Sequence, residues 1–220
     1  MIYFAGTSFA ANHLRGAARE KGLLLTKELK KAGLVFISED TPIGSDGRRN
    51  LARIETLIHE TVKHAKKSAT LVLTSQVPPG FTRKLNLSIY HQAETLRVKD
   101  AAERALTPEQ IIVGCKKPFA PLPKAYLKYL IAFNCPVFQV TWEDAEFSKI
   151  AINMTLASQV DNTNRLASAA KKCGADWESI VTILQHDKRI GPHSYLTPGD
   201  WRDSRHLMRD WHTLEEIENG

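Results

Sequence analysis

The chain is short of cysteine. Its three thiols, Cys115, Cys135 and Cys173, form no C-x-x-C pair and leave an odd count. That excludes a disulfide framework and a cysteine zinc site, and it points to a reducing compartment. Long apolar runs are also missing, so no membrane-spanning helix is expected. At the start of the chain, charge follows the first apolar segment instead of preceding it, which is not the pattern of a secretory leader. The cytoplasm is the expected compartment. The basic residues outnumber the acidic by six but are scattered (Arg48, Lys66, Arg97, Lys116, Arg165, Arg189, Arg209), with no stripe interleaved with aromatics. Small anions such as phosphates are therefore expected as partners, and neither nucleic acid nor a membrane is. No internal repeat or low-complexity linker is present.

What is there begins with short apolar runs bounded by turns. Residues 1–5, 23–26, 34–38, 69–75, 111–114 and 136–140 read as buried strands. Between them, 8–21, 27–33, 51–67, 81–90, 96–105 and 122–132 read as helices, with a Pro/Gly/Asp-rich loop at 39–50 and a turn at 77–80. Such alternation predicts an α/β fold, a Rossmann-like parallel sheet with helices on both faces. The pattern changes near residue 142. From 142 to 173 there is neither proline nor glycine, apolar residues recur at helical spacing, and Gly174 stops the run. Further helices are predicted at 176–186, with Asp176 as N-cap, and near 204–217. The expected organisation is a Rossmann-like sheet domain over 1–141 and an all-helical domain over 142–220, with the helix 143–173 as its spine.

Two places carry candidate chemistry on residue type alone. Gly6-Thr7-Ser8-Phe9-Ala10-Ala11 stands where a strand meets a helix, the position of a dinucleotide-binding glycine loop. Only the first glycine is present, but Ser8 and Ala11 are small, and a helix N-terminus suits a phosphate. Lys149 and Asn153 are four residues apart and share a helix face with Phe147, Ile150, Met154 and Ala157. An ammonium and a carboxamide in apolar surroundings suggest the handling of a polar group out of bulk water. A lysine that snorkels and an asparagine bonded to a loop would look the same. A metal held by His206, Asp210 and His212, perhaps with His193, is the weaker reading of that histidine-rich segment, and no metal is expected. The N-x-S/T triplets at Asn86 and Asn153 are expected to stay unmodified.

In order along the chain, DTP at 40–42, SQVPPG at 75–80, AETL at 93–96, PEQIIVG at 108–114, AEFSKIAINM at 145–154, GADW at 174–177 and DKRIGP at 187–192 resemble the UDP-glucose/GDP-mannose dehydrogenase family. The resemblance runs from about residue 34 to 210. It implies NAD as cofactor, a nucleotide sugar or another phosphate-bearing small molecule as substrate, and a homodimer built on the long helix. It implies cofactor contacts from Gly6, Ser8, Phe9, Thr41, Pro42 and Gln76. By position, Glu94 matches a glutamate that handles the proton of a water or thiohemiacetal step. Lys149 matches the lysine that stabilises oxyanions, and Asn153 the asparagine that assists it. Arg189 matches an arginine that reaches substrate across the dimer, and Asp210 an aspartate that orients the water or the lysine. Family members oxidise a primary alcohol to a carboxylate with two NAD molecules.

The departures are specific. Aligned on Asp210, the family's GxGGSCxxKD segment becomes Trp201, Asp203 and Ser204 at its glycines, His206 at its cysteine and Arg209 at its lysine. A histidine moves protons near neutral pH but does not replace a thiolate nucleophile. Gln76 stands where the family has a threonine. No counterpart of the family's third, nucleotide-holding domain is read in the sequence. Two expectations follow. One is a dehydrogenase-like protein limited to a two-electron step, with Glu94, Lys149 and His206 as acid–base and oxyanion groups. The other is an inactive homologue that binds NAD or a nucleotide sugar, or acts as a scaffold.

Overall fold

A computed structural model describes residues 1–44 and 48–219, so residues 45–47 of the predicted 39–50 loop lie outside the described part. The chain divides into two compact units, Met1–Lys149 and Ile150–Gly220. In the first, the described residues form one six-stranded sheet in sequence order. It comprises β1 (Ile2–Ala5), α1 (Phe9–Glu20), β2 (Leu34–Ile37), α2 (Ala52–His64), β3 (Thr70–Leu73), α3 (Phe81–Lys84), β4 (Ile89–Gln92), α4 (Ala101–Leu106), β5 (Ile111–Cys115), α5 (Lys124–Ile131) and β6 (Val137–Thr141). Then α6 (Trp142–Cys173) runs across the division, and α7 (Trp177–His186) and α8 (Arg205–Asn219) complete the second unit. The expected boundary at 141–143 coincides with the start of α6; the division into units falls between Lys149 and Ile150.

Strands β1 to β4 are mutually parallel, β4 and β5 are antiparallel, and β5 and β6 are parallel. The expected Rossmann-like parallel sheet with flanking helices is present, with one antiparallel pair, β4 against β5, within it. The excursion after Gln92 brings the chain back into the sheet at the edge it left, so β5 and β6 run the other way. The carboxyl ends of β1–β4 lie on one edge and those of β5 and β6 on the opposite edge.

Burial on both faces explains the continuous apolar strands. One layer packs Leu14, Ala17 and Ala18 of α1 and Tyr126, Tyr129 and Leu130 of α5 onto Phe4, Phe36, Val72 and Val113. The other packs Ile54 and Ile58 of α2 and Phe81 of α3 onto Val35, Ile37, Leu73 and Ile89.

Three local expectations are corrected. The predicted 81–90 helix stops at Lys84, and 89–92 is strand β4. Its polar His91 and Gln92 disguised it, although both are buried. Residues 23–26 make only an isolated bridge, Leu25 to Ile2. The predicted 27–33 helix is a single 3-10 turn at Leu29–Lys31.

Candidate functional site

The edge at the ends of β1, β2 and β3 is stitched by side chains. Gly6 has a left-handed backbone, φ 92°, and a Cβ there would overlap the Ser38 carbonyl oxygen. Glycine is therefore required by the approach of the β2 exit. Ser8 is buried and caps α1, its hydroxyl accepting from the Ala11 N–H at 3.0 Å and sharing a 2.6 Å hydrogen bond with Ser38. The first turn of α1 carries no acidic residue, so the positive end of that helix is not neutralised. Ser75 Oγ donates to the Glu39 carbonyl at 2.7 Å, and Thr41 Oγ1 donates to the Gln76 carbonyl at 2.7 Å. Gln76 Oε1 is buried and accepts no hydrogen bond among the described residues. Phe9 is exposed and meets His13 edge-on at 4.5 Å between ring centres. Pro42 is exposed, and its carbonyl accepts from the Asn50 N–H at 2.8 Å.

Glu94 follows β4 at this same edge. Its carboxylate accepts a hydrogen bond from the Leu96 N–H. It borders a cavity of about 30 Å³, together with Thr74, Arg104 and Tyr129, among others. That volume holds about one water, not a sugar.

On α6, Glu146, Ile150, Asn153 and Ala157 form the buried stripe, while Lys149 is half-buried. The expectation that Phe147 belongs to that face is corrected, because it is 41% exposed. Sequence reasoning passed over Glu146. Its buried carboxylate accepts from the backbone N–H of Gly80 at 2.6 Å and of Thr82 at 2.8 Å, fixing the PPG turn to α6. Burial pushes its pKa up, against the lowering effect of those hydrogen bonds. The signal was a glutamate set at i−4 from Ile150 on an otherwise apolar stripe.

Within the second unit, Asn153 Nδ2 donates to Asp210 Oδ2 at 2.5 Å, and Asp210 is fully buried. The structure thus joins two predicted residues 57 positions apart. Arg189 is held elsewhere. It is exposed and forms a bidentate pair with Asp187 in its own turn, at 3.0 and 2.6 Å. That guanidinium holds the Asp187 carboxyl below its ordinary range. His206 is exposed on α8. Trp201, which the family resemblance sets at a glycine position, is buried, with its ring 5.5 Å from that of Trp211 and the Arg202 guanidinium 4.4 Å above it. The preceding turn is pinned to α6, with Asn164 donating to the Gly199 carbonyl at 2.7 Å and Gly199 N–H returning a bond at 2.9 Å. Among the described residues, no group of three or more His, Cys, Asp or Glu is placed to hold a metal ion. None of their helices is long and apolar enough to cross a membrane.

The chain matches known proteins in sequence and in fold. Residues 13–119 match the NAD binding domain of the UDP-glucose/GDP-mannose dehydrogenase family, and residues 143–217 match its central domain. A UDP-glucose 6-dehydrogenase of Bacillus subtilis is 29% identical over 205 residues, which is 87% of this chain and 46% of that protein. A UDP-glucose 6-dehydrogenase of Pseudomonas aeruginosa is 26% identical over 186 residues, 77% of this chain and 41% of that protein. The chain spans less than half the length of these curated relatives. A UDP-glucose dehydrogenase structure from Pyrobaculum islandicum superposes with a TM-score of 0.72 at 18% identity, covering 99% of this chain and 68% of that one. That last likeness is one of fold.

Proposed function

The chain belongs to the UDP-glucose/GDP-mannose dehydrogenase family, and from that membership we propose that it is an NAD-linked oxidoreductase of nucleotide sugars limited to one two-electron step. The observation that carries the reading is the edge formed by Gly6, Ser8, Thr41 and Gln76. An acid-free helix N-terminus suits the phosphates of a dinucleotide. The buried, unpaired Gln76 Oε1 suits an N–H or O–H donor of the same ligand. The residues present therefore fit NAD.

When bound, NAD supplies the acceptor for a hydride from the sugar carbon. The chain's own groups manage the proton and the charge. His206 takes the proton of the sugar hydroxyl, since the cavity beside Glu94 admits a water and no sugar. Lys149 stabilises the developing alkoxide with its ammonium. Asp210 orients the Asn153 carboxamide through the buried hydrogen bond, so that the amide assists Lys149 at the oxyanion. With histidine at position 206, no thiohemiacetal forms there, and oxidation stops at the aldehyde or ketone.

NADH absorbance with a panel of UDP-, GDP- and CMP-sugars tests this. One NADH per sugar consumed is the expected result. Two per sugar would sink the one-step reading, and none from any sugar would sink the enzyme. The buried Trp201 favours a second reading, a homologue that binds without turnover, because it fills the place where the family leaves backbone open to substrate. Calorimetric binding of NAD and a nucleotide sugar with no NADH formed would select it.

A further inference from the structure

The reversal of direction between β4 and β5 gives the sheet a second carboxyl edge, opposite the edge of Gly6 and Gln76. Ligand crevices in open α/β sheets form outside strand carboxyl ends, where neighbouring connections part. At this second edge, a cavity of about 440 Å³ opens, lined by Tyr90, Cys115, Lys116, Lys117, Trp142 and Arg83, among others. Its size falls within the range of small-molecule sites, about 300–1,000 Å³. It lies wholly within the first unit.

The walls are built. The Trp142 indole is buried, and its N–H donates to the Ile89 carbonyl at 3.0 Å, fixing the ring. The Arg83 guanidinium lies 5.2 Å from the centre of that ring and is paired with Glu143, one bond measuring 2.8 Å. Arg83 is thereby neutralised and positioned, so the excess positive charge comes from Lys116 and Lys117, which are exposed where β5 ends. Among the described residues, no carboxylate lines the cavity. The half-buried Tyr90 supplies the accessible aromatic surface, Trp142 and Arg83 back the wall, and an aromatic surface beside two ammonium groups recognises a flat ring joined to an anion.

We propose that this cavity is a second ligand site, separate from the glycine-loop edge, that takes a small molecule joining an aromatic ring to a phosphate, of nucleoside monophosphate size. AMP is the probe. The full chain, labelled with ¹⁵N at its tryptophan indoles, is titrated with AMP, with the Trp142 resonance assigned by its loss in Trp142→Phe.

A saturable shift of the Trp142 indole is expected at or below about 1 mM AMP. The double variant Lys116→Glu/Lys117→Glu should weaken it roughly tenfold or more. Adenosine alone and inorganic phosphate alone should each bind more weakly than AMP. No Trp142 shift, or an unchanged affinity in the double variant, overturns the proposal. NAD is titrated in parallel by calorimetry on the double variant. An AMP shift at Trp142 with no NAD binding defeats the cofactor reading alone, and NAD binding with no Trp142 shift defeats this one alone.

Discussion

His91 stands in β4 with its side chain buried and, among the described residues, no hydrogen-bond partner for its Nδ1. Burial disfavours the imidazolium and pushes the pKa down to about 4 from an ordinary 6.5. Between those two values the unfolded chain binds a proton that the folded chain refuses. Stability therefore rises with pH over this window. The contribution is complete above about pH 6.5 and is lost progressively as pH falls towards 4, amounting to about 3 kcal/mol. Urea midpoints measured from pH 7.5 to 4.5 should show that slope, and His91→Leu should flatten it. An identical slope in the variant would show that His91 does not titrate this way. Nothing in the sequence marks His91 as buried, because a histidine between a tyrosine and a glutamine reads as surface. The Asn153–Asp210 bond was half legible. Each residue stood out by its position in a motif, but their pairing depends on how α8 packs within its unit.

At the scale of elements, the approach of α6 to the sheet turns on Gly114. A Cβ there would stand 2.7 Å from Ala145 Cβ and 3.1 Å from Trp142 Cα. Only a glycine lets the first turn of the helix lie this close to β5. Gly114→Ala should destabilise the first unit by about 1–3 kcal/mol through overpacking, read as a lower urea midpoint. Adding Ala145→Gly removes the clashing methyl and should restore part of the loss. If the double variant is no better than the single, this contact is not the cause. The long helix itself was legible, since 32 residues without a proline or glycine leave few alternatives. Strand β4 was not, because its polar residues are satisfied or sequestered only in the packed sheet. Tyr126 Oη donates to Gln92 Oε1 at 3.0 Å, a partner supplied from α5.

At the scale of the molecule, the chain keeps the family's sheet and helical region, and the proposed alignment of 201–210 sets larger residues around the position of the family's nucleophile. Restoring the thiol alone should not restore the second oxidation. His206→Cys leaves Trp201 buried under Trp211 and leaves Asp203 and Ser204 where the family has glycines. The expected product is still the aldehyde or ketone, with one NADH per sugar, measured by absorbance and by mass spectrometry of the product. Appearance of the sugar acid in this single variant would show that the refilled segment does not obstruct the chemistry.

The linear order of residues determined the fold class, the long helix and the family. Those features depend on local periodicity and on motif order, which survive without coordinates. Tertiary structure decided the rest. The reversal at β4, the clamp of Glu146 on the PPG turn, the burial of His91 and the cavity beside Trp142 all join segments distant along the chain. Their energies come from desolvation and close packing, which no stretch of sequence carries by itself.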